Sequence, residues 1–108
     1  MNHKTLGATE VRLPELGLGT WKYGGGVEPL REGIACGVSF VDTAESYSTE
    51  EIVGEAIRGI RDKVFVATKV SPRNFRRPDL LRAADASLKR LGTDHIAVSY
   101  THLTLPTN

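Results

Sequence analysis

Short apolar runs alternate along this chain with stretches in which apolar residues return every three or four positions. These are the marks of strands and of one-faced helices. Leu16-Gly17-Leu18-Gly19-Thr20 predicts a strand near 16–20. A small hairpin over Thr5 to Leu13 precedes it, with Gly7-Ala8 near the turn. Pro14 argues against pairing just before the strand, because proline has no N–H to give a ladder. Val27, Leu30 and Ile34 mark one stripe of a helix near 28–36, which Gly37 ends. Val38-Ser39-Phe40-Val41-Asp42 predicts a second strand near 38–42.

A second helix is expected over 49–59. Ser48 and Glu51 have the spacing of a capping box, and Glu50 and Glu51 suit the positive end of a helix. Ile52, Val53, Ala56, Ile57 and Ile60 form its stripe, and Arg58 and Arg61 suit its carboxyl end. The β-branched run Val64 to Val70 predicts a third strand near 64–70. Pro78 opens a third helix near 78–90, with Leu81, Ala84, Leu88 and Leu91 on one face and Gly92 after its end. A fourth strand is expected near 95–99.

Near-continuous apolar strands alternating with amphipathic helices imply an α/β fold whose sheet is parallel with right-handed crossovers. Two architectures begin this way: a small doubly wound domain, and the first part of a βα barrel. The 108 residues suffice for one domain. They are too few for a complete eight-fold barrel of roughly 250 residues. A doubly wound domain usually closes with a further strand and helix. No helix pattern follows Ile96 to Tyr100, which favours the barrel start.

Composition narrows the class. Fourteen Lys and Arg against 13 Asp and Glu leave a net charge of +1, which argues against a basic nucleic-acid arm. The single cysteine, Cys36, can form no internal disulfide and suits a reducing, cytoplasmic setting. No apolar run nears the roughly 18 residues of a membrane span.

Candidate chemistry gathers where the predicted strands end. Thr20 and Trp21 follow the first, Asp42 and Thr43 end the second with Tyr47 just beyond, Lys69 nears the end of the third, and His102 follows the fourth. Those ends open on one edge of a parallel sheet, where α/β enzymes place ligands. Each residue has a plainer reading: Asp42 as a turn or cap, Tyr47 as packing, Lys69 as a solvated strand end, His102 as structural. Convergence shifts the balance, since a buried lysine beside a tyrosine is costly unless a carboxylate offsets it. Gly17-Leu18-Gly19 is followed by Lys22 where a dinucleotide fingerprint needs glycine, and Gly24-Gly25-Gly26 reads as a flexible loop. His3, His95 and His102 lack metal-ligand spacing.

Several motifs together resemble the N-terminal third of the aldo-keto reductases, over roughly residues 4 to 96. They are Gly17 to Trp21, Val41-Asp42-Thr43-Ala44-Glu45-Ser46-Tyr47, Glu51 to Ile57, Ala67-Thr68-Lys69-Val70, and Ser87 to Asp94. The resemblance implies the N-terminal part of a (β/α)8 TIM barrel, with about four parallel strands and three helices after a hairpin. It further implies reduction of aldehyde or ketone carbonyls with NADPH or NADH. Asp42, Tyr47 and Lys69 match the family's catalytic residues, and Gly19, Thr20, Trp21 and Asp42 its nicotinamide end. Counted without a gap, the family's catalytic histidine falls on His102, although Leu103-Thr104 replace its Trp-Pro neighbours. Residues 1–96 are thus expected to form part of a barrel domain, and 97–108 an atypical, non-native tail. The resemblance implies that Tyr47 donates a proton, Lys69 eases its release, Asp42 fixes Lys69, and the histidine orients the carbonyl. Four strands alone would leave open edges and an apolar face, so the isolated chain is expected to self-associate and to be inactive. Two other readings stay open: a non-catalytic flavodoxin-like module, and a regulatory barrel that binds partner proteins.

Overall fold

The computed structural model describes residues 1–100, with the backbone alone for Ser99 and Tyr100. The expected hairpin forms from β1 (His3–Thr5) and β2 (Arg12–Pro14), paired antiparallel with Pro14 opposite His3. Pro14 therefore does pair, contrary to expectation. It ends the strand, and the next residue supplies the missing donor: Glu15 N–H bonds to the Asn2 carbonyl at 2.9 Å.

Four strands follow in a parallel sheet: β3 (Leu18–Gly19), β4 (Phe40–Asp42), β5 (Phe65–Val70) and β6 (Ala97–Tyr100). β3 is shorter than the run that predicted it, and Leu16 is exposed. Helices α1 (Val27–Ala35), α2 (Glu50–Ala56) and α3 (Arg77–Leu91) connect them. The sheet order is β3-β4-β5-β6, the order of the sequence. A doubly wound sheet must reverse its strand order at a switch point; among the described residues this one does not. Right-handed crossovers that all step the same way put every helix on one face, and α1 packs on α2 and α2 on α3. This is the N-terminal part of a βα barrel, and the flavodoxin-like reading falls on strand order.

The sheet has two unlike faces. Val41, Val66, Thr68 and Val70 point toward the helices and are buried, and Leu30, Ile34, Val53, Ala56, Ile57, Val64 and Leu91 join Val41 and Val66 in the core cluster. Phe40, Asp42, Phe65, Ala67 and Lys69 alternate onto the other face and are half-buried. There Phe40 and Phe65 meet edge to face, centroids 5.5 Å apart.

Three helix expectations need correction. Ser48 is not a cap: it lies in the left-handed region at φ 60°, and Thr49 is the residue before α2, with no side-chain cap bond. α2 also ends early, and Arg61 instead anchors a later turn through bonds to Thr93 Oγ1, the Val64 carbonyl and the His95 carbonyl. On α3 the buried positions are Ala83, Ser87 and Leu91, while Leu81 is exposed. Among the described residues no helix is long and apolar enough to cross a membrane.

Candidate active site

Parallel register sets Gly19, Asp42, Ala67 and Ala97 side by side across the sheet. Asp42 and Lys69, two register rows apart, therefore share the face away from the helices. The Lys69 ammonium donates to both carboxylate oxygens of Asp42 at 2.8 Å and to the Thr43 carbonyl at 2.9 Å. Its side chain is only 17% exposed, so three acceptors compensate the lost hydration. The same ammonium lies 4.8 Å from the centroid of the Tyr47 ring, over its face.

Tyr47 reaches this place because the chain leaves β4 into a short 3-10 turn, Glu45–Tyr47. Glu45 ties that turn to the segment after β5. Its carboxylate accepts from Ser71 N–H at 2.9 Å and from Asn74 Nδ2 at 3.1 and 2.9 Å. Burial, the largest influence, pushes the Glu45 carboxyl up. The bonds from Ser71 and Asn74, with the charge of Arg90, outweigh it and hold the group below the ordinary 4.5. A small cleft of about 110 Å³ opens between Tyr47, Lys69, Ser71 and Pro72. A larger concavity of about 410 Å³ lies at the opposite strand ends, by the hairpin, among Arg12, Pro14, Arg61 and Ile96. The Arg61 donors there are engaged by the protein itself, so the smaller cleft is where the reactive groups converge.

Of the sequence-predicted residues, the structure brings Asp42, Tyr47 and Lys69 together. Gly19 adjoins Asp42 in register, and a side-chain carbon there would meet nothing within 4 Å. Trp21 is 67% exposed, with the Lys22 ammonium 4.9 Å from its ring. The Thr20 hydroxyl points elsewhere: it is fully buried and donates to the Asp42 carbonyl at 3.0 Å. His102 lies outside the described residues. Residues 97–100, assigned above to an atypical tail, form β6 against β5.

Sequence reasoning passed over a polar layer behind these groups. Thr20, Thr43, Thr49 and Thr68 are each at most 4% exposed. The Thr49 hydroxyl meets those of Thr20 and Thr43 at 2.9 and 3.0 Å. Glu50, also buried, accepts from the Thr68 hydroxyl at 2.6 Å and from Arg90 at 2.8 Å. The available signal was a threonine beside three of the strand-end residues: Thr20 after Gly19, Thr43 after Asp42 and Thr68 before Lys69.

Known proteins are similar to this chain in sequence and in fold. The sequence model of the Aldo/keto reductase family matches residues 15–108. Methylglyoxal reductase YeaE of Escherichia coli is 41% identical over 103 residues, covering 86% of this chain and 36% of that protein. The crystal structure of the thermostable aldo-keto reductase Tm1743 superposes with a TM-score of 0.87 at 39% identity, covering 98% of this chain and 45% of that one. An aldo/keto reductase from Klebsiella pneumoniae, crystallised with NADP and acetate, gives 0.76 at 41% identity, covering 81% and 34%. The chain thus spans about a third of the length of the curated relative.

Proposed function

The chain belongs to the aldo/keto reductase family, and from that premise we propose that it carries the proton-donating machinery of an NADPH- or NADH-dependent reductase of small aldehydes or ketones. One observation carries the reading: a half-buried ammonium held by Asp42 on one side and lying over the Tyr47 ring on the other. Carbonyl reduction builds negative charge on oxygen, and a nearby donor must meet it. Tyr47 donates that proton. A phenol, with an ordinary pKa of about 10, gives it up poorly at neutral pH. The Lys69 charge, fixed by Asp42 and the Thr43 carbonyl, stabilises the phenolate left behind.

The open face fits a nicotinamide. Gly19 leaves space beside Asp42, and Trp21 offers an exposed ring. Gly19, Trp21 and Asp42 would line its carboxamide end, with Thr20 supporting them from behind through its bonds to Asp42. When bound, the reduced cofactor supplies a hydride to the carbonyl carbon. His102 is the proposed carbonyl-orienting group. The exposed, unpaired Cys36 suits a cytoplasmic setting, and nothing in the reading calls for nucleic acid.

Among the described residues the inner face of the sheet carries Phe40, Phe65 and Ala67 only half-buried, and we propose that the 108-residue chain self-associates and shows no turnover by itself. The test is loss of reduced-nicotinamide absorbance with a small aldehyde, using a complete barrel that includes these strands. Turnover is expected, with a fall of about a hundredfold in Tyr47→Phe. Unchanged turnover in Tyr47→Phe would refute the assignment.

A further inference from the structure

Among the described residues, every acceptor of the Lys69 ammonium belongs to Asp42 or Thr43. The position of Lys69 is therefore only as good as that of these two residues, and they are gripped from the helix side. The Thr20 hydroxyl donates to the Asp42 carbonyl at 3.0 Å. A hydroxyl has one proton, so in its 2.9 Å contact with Thr49 it can only accept. The Thr49 proton is then committed to Thr20, and in the 3.0 Å contact between Thr49 and Thr43 it is Thr43 that donates. The chain runs one way: Thr43 to Thr49 to Thr20 to the Asp42 carbonyl. All three hydroxyls are at most 4% exposed, so no solvent completes it. The next residue, Glu50, holds the hydroxyl of Thr68, the neighbour of Lys69 on β5. Two adjacent residues at the start of α2 thus grip the ends of β3, β4 and β5.

We propose that Thr49 is a positioning residue: its hydroxyl, at the centre of this chain, holds the Asp42-Thr43 main chain so that Lys69 stays between Asp42 and Tyr47. The catalytic consequence rests on the reductase reading; the placement of Lys69 does not. Thr49→Val keeps the shape but strands the Thr43 proton and removes the donor to Thr20, whereas Thr49→Ser keeps the link.

Limited acetylation of the full chain with acetic anhydride, resolved by peptide mass spectrometry, reads the placement without turnover, because Lys69 reacts only when released from its acceptors. Lys69 should react about tenfold more slowly than the exposed Lys63 in the native chain and in Thr49→Ser, and about fivefold faster in Thr49→Val than in the native chain. Ile34→Val, a core truncation on α1, controls for general loosening and should leave Lys69 unchanged. The proposal is overturned if Thr49→Val leaves the Lys69 rate unchanged, or if Thr49→Ser or Ile34→Val raises it equally. Should Thr49→Val fail to fold, Thr43→Val removes the head of the same chain and is read by the same outcomes. In an active barrel, Thr49→Val should lower kcat about tenfold with little change in KM, and Thr49→Ser should restore it. If no variant turns over an aldehyde yet Lys69 responds as described, the reductase reading falls and the positioning role stands.

Discussion

Replacing Gly54 by alanine sets two effects of known size against each other. Gly54 lies inside α2 without a left-handed backbone, so helix propensity alone predicts a gain of about 1 kcal/mol. Packing predicts the reverse. A Cβ there would stand 2.6 Å from the Arg90 carbonyl oxygen, 2.8 Å from that of Leu91 and 2.9 Å from the Leu91 carbonyl carbon. All three are main-chain atoms in the last turn of α3, so no rotamer change relieves the overlap and the helices must separate. Overpacking costs about 1–3 kcal/mol, occasionally more, and rigid neighbours put this case at or above the upper end. The Glu50–Arg90 ion pair spans the same helix interface and would be stretched with it. The net expectation is a loss of about 2 kcal/mol, or roughly 8–16 °C in Tm for a domain of this size. Gly33→Ala is the internal control. Its Cβ would meet only the Leu18 side chain, at 3.0 and 3.2 Å, which can rotate away, so its stability should stay within about 1 kcal/mol of the parent. Thermal unfolding followed by circular dichroism measures both. A Gly54→Ala chain as stable as its parent would refute the steric argument.

Arg90→Met leaves the Glu50 carboxylate, 1% exposed, without its cation. Urea unfolding should show a loss of about 3–5 kcal/mol, mostly recovered when Glu50→Gln is added. Glu45 has a folded pKa below its ordinary 4.5, so its stabilisation is whole above about pH 4.5 and is lost as pH falls through the folded value. The urea midpoint should therefore fall more steeply on acidification in the native chain than in Glu45→Gln; parallel curves would contradict this. Gly92, after α3, adopts φ +66° in open space, so Gly92→Ala carries backbone strain alone and should cost about 1 kcal/mol in the same assay.

Where a pattern is set by strand geometry, the sequence carries it. Alternation along β5 places Val66, Thr68 and Val70 on one face and Phe65, Ala67 and Lys69 on the other, and a period of two needs no knowledge of neighbours. α3 was harder to read. Its apolar spacing favours Leu81, yet the chain buries Ala83 and Ser87. Small residues face inward where this helix approaches its neighbours closely, as the Gly54 contact shows. Ser87 is acceptable there because its hydroxyl receives a bond from Arg90 at 3.3 Å. Hydrophobicity along one helix holds no information about how near its neighbour comes.

The site divides in the same way. Asp42, Tyr47 and Lys69 were legible because parallel strand ends must share an edge, whatever the details of the loops. The Thr49–Glu50 pair was not, because its meaning depends on one backbone torsion. With Ser48 as the capping residue, Ser48 and Glu51 would make the expected capping box. The left-handed Ser48 shifts the frame by one residue, so that Thr49 precedes the helix and Glu50 enters the core. A non-glycine residue adopts that conformation only under local demand. Here the demand comes from the turn Glu45–Tyr47, which Glu45 pins to Ser71 and Asn74 and which must bring Tyr47 over Lys69 before the chain can enter α2. Placing the phenol and turning Thr49 and Glu50 inward are therefore consequences of a single reversal at Ser48. A change that straightened it would disturb both.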